Sequence, residues 1–251
     1  MVINAVRHFL STSKLPDFLR ETKLVLLPKV PSLSHAKDFR PISCCNVIYK
    51  FIAKLLCMRL KQALPHLIHQ NQGAFIKGRE LLFNVLTCQD LVRGYNRKGI
   101  SPRCIMKIDL HKAFDSVHWN FLKELLVHMR FPTQFVSWLM ACITSVSYRI
   151  HVNGHIGDLF KGGRGLKQGD PLSPLLFVLS MEYFTRLMVH ASSNLNFGFH
   201  PSCKALRLSH LMFADDVMIF CKAKPETFTI IHNTLMTFYQ CTGLKVNQTK
   251  F

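Results

Sequence analysis

The chain has 251 residues, and 32 Lys and Arg against 14 Asp and Glu leave a formal charge of +18. Hydrophobic residues make up 49% of it, enough for a core, which excludes a disordered basic tail. So large a positive surplus implies a polyanionic partner, either nucleic acid or an acidic membrane surface.

Residues 1–14 lack the apolar core of a secretory signal. The longest apolar region, residues 171–190, carries Glu182, Arg186 and two prolines, which argues against a membrane span. The nine cysteines are scattered among apolar residues without a CxxC pair, the pattern of reduced thiols in an intracellular protein. His66 and His69 have no cysteine pair to complete a zinc site.

In chain order, the first clear element is a helix over 46–64. Val47, Ile48, Phe51, Ile52, Leu55, Leu56 and Leu60 fall at helical spacing, with Lys50, Lys54, Arg59 and Lys61 between them. Cys104–Asp109 reads as a strand. Ser116–Arg130 reads as a helix capped by Asp115, burying Val117, Phe121, Leu122, Leu125 and Leu126. Strands over 148–152 and 155–160 flank Asn153-Gly154, a hairpin signal. A Gly-rich loop, 162–174, then leads into a helix that opens at Ser173-Pro174 and runs through Met188. Strands over 211–214 and 217–220 form a second hairpin with Asp215-Asp216 at its tip. The last helix runs from Pro225 to Gly243, a C-cap. Helices and short strands alternate without a regular βαβ repeat, so the expected class is α+β. No linker divides the chain.

The scarce acids are the first candidates for chemistry. Asp215 and Asp216 sit inside an otherwise apolar run, Leu-Met-Phe-Ala-Asp-Asp-Val-Met-Ile-Phe. Adjacent charges there need compensation, which a divalent cation supplies and a solvated turn supplies equally well. Asp109 closes another apolar strand and either shares a metal with that hairpin or caps the following turn. In the Gly-rich loop, Arg164 and Lys167 could meet phosphates, although the order is not that of a P-loop.

Taken together, the motifs resemble reverse transcriptases, most closely the non-LTR, LINE-type branch as found in plant genomes. The resemblance rests on Leu-Leu-Pro-Lys29, Phe-Arg40-Pro-Ile-Ser, Gln72-Gly-Ala-Phe, Lys-Ile-Asp109-Leu-His-Lys-Ala-Phe-Asp, Gly-Leu-Lys-Gln168-Gly-Asp-Pro-Leu-Ser-Pro, Phe-Ala-Asp215-Asp216 and Gly243-Leu-Lys-Val-Asn-Gln-Thr-Lys250, in that family's order. It implies the palm and fingers of a right-hand polymerase, residues up to about 100 mainly fingers and the remainder mainly palm. It also implies that the thumb is absent and that the chain is a fragment of a larger polyprotein.

The same resemblance assigns roles. Asp109, Asp215 and Asp216 become the acids that hold two Mg²⁺ ions, with Mn²⁺ a possible substitute. Phe114 becomes the aromatic that excludes a ribose 2′-hydroxyl. Lys29 and Arg40 grip the incoming deoxynucleoside triphosphate, Gln168 and Gly169 pack against the nascent pair, and Lys250 protonates pyrophosphate. The implied partners are an RNA template and a DNA primer, with no membrane, and the implied location is nuclear. Phe213 stands where many relatives have Tyr, keeping the ring and losing a hydroxyl. Two other readings carry less of the sequence. A nucleic-acid-binding remnant without turnover leaves the intact acids unexplained, and an RNA-directed RNA polymerase conflicts with Phe114.

Overall fold

The alternation of apolar runs with turn residues resolves, in a computed structural model, into two units, one around each of two sheets. The structure describes residues 2–32, 34–93, 95, 99, 101–152 and 154–247. Asn153 and Lys250, both singled out above, lie outside the described residues. The elements in chain order are α1 (Val2–Thr12), α2 (Asp17–Arg20), β1 (Glu21–Pro28), β2 (Phe39–Cys44), α3 (Val47–Leu67), α4 (Leu81–Val92), β3 (Arg103–Ile108), α5 (Ala113–Ser116), α6 (Trp119–His128), α7 (Thr133–Thr144), β4 (Ser147–Val152), β5 (His155–Ile156), β6 (Phe160–Lys161), α8 (Ser173–Ser192), β7 (His210–Phe213), β8 (Asp216–Lys222) and α9 (Pro225–Thr242). One unit comprises residues 1–60 and 117–176, the other residues 61–116 and 177–251.

The first unit holds a mixed sheet in the order β2-β1-β4-β5, with β6 also on β4. β1 pairs antiparallel with β2 and parallel with β4. Phe9 of α1 is buried at 0% exposure, and Trp138 Nε1 in α7 donates to the Leu10 carbonyl at 3.0 Å. α6 and α7 are joined by a tight reversal. Arg130 takes φ +60° while Phe131 N–H bonds back to the Leu126 carbonyl at 3.2 Å. That closure usually employs Gly, so no glycine marks the second helix in the sequence.

The second unit holds an antiparallel sheet, β3-β8-β7. Alternation places Val217, Ile219 and Cys221 of β8 in the core, each at 1% exposure or less. Phe184 of α8 meets Phe238 of α9 edge-on at 5.2 Å and His210 of β7 at 5.5 Å. His210 is fully buried and neutral. Burial, with His69 nearby, pushes it down to about 3. Its ring nitrogens lie 2.9 Å from Ser209 Oγ and 3.3 Å from Thr185 Oγ1, so its polar atoms are bonded.

Two local expectations change. Asp115 does not cap a helix from Ser116: it lies inside the short α5, and His118, in extended conformation, separates that turn from α6. Trp119 Nε1 donates to the Gly165 carbonyl at 2.7 Å, which ties the start of α6 to the Gly-rich loop. The tip of the second hairpin is Ala214-Asp215, with Asp216 already in β8 opposite Phe213. None of the nine cysteines forms a disulfide, and burial pushes the Cys142 and Cys221 thiols up to about 12. Among the described residues no helix is long and apolar enough to cross a membrane.

Candidate active site

The second unit gathers the acids. β3 and β8 are in register from Arg103↔Lys222 to Ile108↔Val217. Continued by one residue, that register sets Asp109 across from Asp216, and Asp215 is the next residue along. Directly opposed residues share a face, with Cβ atoms about 4.5–5.5 Å apart. Asp109 and Asp215 are half-buried and Asp216 is exposed. Asp216 Oδ1 lies 3.2 Å from Lys107 Nζ, two residues before Asp109 on β3.

Asp109 is held from the chain's far end. Past the left-handed C-cap Gly243 (φ +79°) of α9, the backbone returns antiparallel beside residues 109–111, with a bridge between Leu110 and Val246. Asn247 Nδ2 donates to Asp109 Oδ2 at 3.0 Å, and Asn247 N–H donates to the Asp109 carbonyl at 2.8 Å. Asn247 is not among the candidate residues that the sequence singles out. Its signal was its place in Gly243-Leu-Lys-Val-Asn, and only the folded chain brings it to Asp109.

Among the described residues, no three or more His, Cys, Asp or Glu side chains close around a point as an all-protein metal cage. The donors present are nonetheless hard carboxylate oxygens at neighbouring strand ends. Mg²⁺ commonly takes one or two such carboxylates and completes its shell with water and substrate phosphate. The donor set fits that kind of site, with Asp109, Asp215 and Asp216 as the oxygens on offer.

Phe114, from α5, stacks on Phe177 of α8 with ring centroids 4.7 Å apart and planes 14° off parallel. Phe177 is fully buried and Phe114 only half so. One ring therefore anchors the other at the surface of the same unit as the acids. Beside the hairpin, a cavity of about 620 Å³ opens between α4 and β7–β8, lined by Leu81, Val85, Cys88, Phe213, Asp216 and Met218 among others.

The first unit carries the remaining candidates. Lys29 N–H donates to the Asp38 carbonyl at 2.8 Å, extending the β1–β2 ladder beyond Pro28↔Phe39. Lys29 and Arg40 therefore lie on one face at the far end of this hairpin, both exposed. Lys29 Nζ donates to the Lys37 carbonyl at 2.9 Å. Asp38 accepts from the Ser34 and His35 N–H groups at 3.0 and 2.9 Å, bonds that hold its carboxyl below the usual range and shape the connecting loop.

Further along β2, Ser43 N–H donates to the Gln168 carbonyl at 2.7 Å. Gly169 follows with φ +99°, and a Cβ there would stand 3.2 Å from the Ser43 carbonyl oxygen. The glycine is required by both conformation and space.

Lys167 does not reach out to phosphate. It is buried, its Nζ 3.2 Å from Asp170 Oδ2, 3.0 Å from the Cys142 carbonyl and 3.8 Å from the centre of the Tyr49 ring. The Tyr49 hydroxyl also bonds Asp170. Burial and the Asp170 charge hold the Tyr49 phenol well above its usual range. This cluster anchors the loop that carries Gln168 and Gly169. Of the loop's two cations, only Arg164 is exposed.

An antiparallel sheet with acids at a hairpin and at the end of the adjoining strand, together with a mixed sheet and helices, makes up a palm-and-fingers fold. Solved structures share this fold. That of apo telomerase from Candida tropicalis, truncated of its C-terminal domain, matches with a TM-score of 0.63 at 15% identity, over 98% of this chain and 53% of that one. Telomerase from the same organism in complex with the TWJ fragment of telomeric RNA matches equally, at 0.63 and 14%, over 99% of this chain and 43% of that one. Residues 27–251 match the family described as reverse transcriptase (RNA-dependent DNA polymerase), and the chain belongs to that family.

Its curated relatives include transposon and retrotransposon proteins. An uncharacterized 149 kDa protein of transposon TX1 from Xenopus laevis is 35% identical over 175 residues, which is 70% of this chain and 13% of that protein. The Pol polyprotein of the type-2 retrotransposable element R2DM from Drosophila melanogaster is 27% identical over 100% of this chain and 23% of its own length. The chain thus spans less than a quarter of either relative and is similar to the non-LTR, LINE-type branch.

Proposed function

We propose that this chain is the core of an RNA-directed DNA polymerase, extending a primer 3′-hydroxyl with deoxynucleotides on an RNA template. The observation that carries the reading is the β3–β8 register, whose last pair, Ile108↔Val217, immediately adjoins Asp109 on one strand and Asp216 on the other. Asp109 and Asp215, with Asp216 as the third acid, would hold Mg²⁺, and Mn²⁺ could serve as well. Metal ions bound there would lower the pKa of the primer hydroxyl and offset charge on the departing pyrophosphate.

The chain's own residues then orient the substrates. Lys29 and Arg40, exposed at one hairpin end, suit the triphosphate, to which guanidinium and ammonium donors form charge-assisted bonds. Gln168 and Gly169 present backbone and a short amide side chain to a base pair. Phe114, backed by Phe177, offers a fixed ring edge against a ribose 2′-hydroxyl. Lys250 would supply a proton to pyrophosphate. The net charge of +18 suits a duplex backbone. A retroelement polymerase meets chromosomal DNA in the nucleus, and that location belongs to the same proposal.

The test is primer extension on poly(rA)/oligo(dT) by the purified chain, with Mg²⁺ and dTTP. Incorporation that disappears in Asp215→Asn is expected. Salt-sensitive RNA binding with no incorporation would instead identify a nucleic-acid-binding relic, and incorporation surviving Asp215→Asn would remove the acids from the mechanism.

A further inference from the structure

Gln72 is 0% exposed, yet it ends in an amide with both donor and acceptor needs. A buried amide is costly unless those needs are met. Here they are met by backbone groups of Ala214 and Ala74. Gln72 Oε1 accepts from Ala214 N–H at 3.0 Å and from Ala74 N–H at 3.0 Å, while Nε2 donates to the Ala214 carbonyl at 3.3 Å. A single side chain therefore holds both peptide groups of Ala214, the residue immediately before Asp215.

Ala214 needs holding. Its φ is +55°, and of the two tip residues between Phe213 and Asp216 it alone is positive. A two-residue hairpin with positive φ only at the first position normally places Gly there, because a Cβ in this region is disfavoured. Ala-Asp has no intrinsic preference for such a turn, so its conformation must be imposed from outside.

The clamp is itself fixed. Met212 N–H donates to the Asn71 carbonyl at 2.7 Å, and Gly73 N–H and Asn84 Nδ2 donate to the Met212 carbonyl, each at 2.9 Å. The guanidinium of Arg79 ties down the carbonyls of Ile68, His69 and Gln72 at 2.8, 2.6 and 2.8 Å. Residues 71–73 thus run as a short extra edge along β7, locked at one end by Arg79 and reading the acid turn at the other.

We infer that Gln72 is a positioning residue: by clamping Ala214 in the left-handed region it sets the directions in which Asp215 and Asp216 leave the β7–β8 turn. No other side chain supplies the same bonds. Glu keeps the acceptor and loses the donor to the Ala214 carbonyl, Asn falls short by one methylene, and Met keeps only the length. The inference deepens the polymerase reading and depends on it for its catalytic consequence, but the clamp itself can be tested without catalysis.

The variants are Gln72→Met and Gln72→Glu. Amide exchange across residues 213–217 and Mn²⁺ binding by paramagnetic resonance are read on the free protein, and primer extension separately. Gln72→Met should speed exchange in that segment about tenfold and weaken Mn²⁺ binding about 10–100-fold, the range for partners that orient ligands. It should lower kcat with the KM for dTTP unchanged within about twofold. Gln72→Glu should fall between it and the wild type. If Gln72→Met does not fold, Gln72→Met with Ala214→Gly relieves the left-handed penalty and takes the same measurements. A folded variant with wild-type exchange and wild-type Mn²⁺ binding would overturn the proposal. A wild-type chain that neither binds Mn²⁺ nor incorporates dTTP would defeat the polymerase reading, and exchange at 213–217 would still judge the clamp.

Discussion

Asn247 grips Asp109 at both ends, its side-chain amide 3.0 Å from Oδ2 and its backbone N–H 2.8 Å from the carbonyl oxygen. The side-chain bond fixes the orientation of the Asp109 carboxylate. Asn247→Ala should reduce primer extension about 10–100-fold while costing only about 1 kcal/mol of stability. Asn247→Asp places like charge beside Asp109, raising its pKa and moving the acid limb of the pH–rate profile upward. Extension by Asn247→Ala within twofold of wild type would show the bond to be structural only.

The Lys167–Asp170 pair has side chains only 4% and 2% exposed. Removing one partner of such a pair strands a buried charge and costs about 3–5 kcal/mol. Lys167→Ala and Asp170→Ala should each lower the unfolding free energy from urea titration by that amount, whereas Lys167→Met with Asp170→Leu should lose much less. Equal losses in the single and double variants would contradict the pairing.

His210 makes stability fall in acid. Its folded pKa, about 3, lies below the ordinary 6.5. Between those values the unfolded chain binds a proton that the folded chain refuses. Stability is thus fully present above 6.5 and declines as pH drops toward 3, by up to about 1.4 kcal/mol per pH unit. Urea titrations at pH 7.5 and 5.0 should show this decline in the wild type and a shallower one in His210→Asn.

Gly169→Ala combines φ +99° with a Cβ only 3.2 Å from the Ser43 carbonyl oxygen. The expected cost is about 1–2 kcal/mol, paid locally as faster amide exchange in residues 165–170. Unchanged exchange in that loop would show that it has room to move.

Phe114→Ala removes the ring stacked on Phe177. If that ring excludes the 2′-hydroxyl, the preference for dTTP over rUTP should fall by about 10-fold or more, one lost contact of about 1.4 kcal/mol. Unchanged sugar selectivity with intact folding would assign Phe114 to packing alone.

Much of this was legible where periodicity was strong. α3, α8 and α9 carry sustained helical spacing and clear end signals, and β3, β7 and β8 are short apolar runs bounded by polar turns. α4 was hidden because Leu-Leu-Phe-Asn-Val-Leu is apolar on every side, with Leu82, Phe83 and Leu86 exposed, so no face stands out. β1 and β2 were hidden behind prolines at Pro28 and Pro41, tolerated on this hairpin.

The placement of Asp109 and the acid hairpin followed from motif order, whereas their alignment came only from strand register. Asn247 and Gln72 were invisible as partners, because a hydrogen bond between residues more than a hundred positions apart leaves no local trace. Lys167 was misread because Asp170, three residues on, becomes a buried partner only once the distant Tyr49 closes over the pair.

Each unit is assembled from two stretches separated by part of the other. No single cut can therefore release either one by itself. A ribosome making this chain exposes β3 long before its partner β8, so Cys104 must wait for Cys221 and Ile108 for Val217. The strand leading to Asp109 is thus an open edge until β8 is complete. Slow, late closure and a need for protection of the nascent chain follow from that wiring.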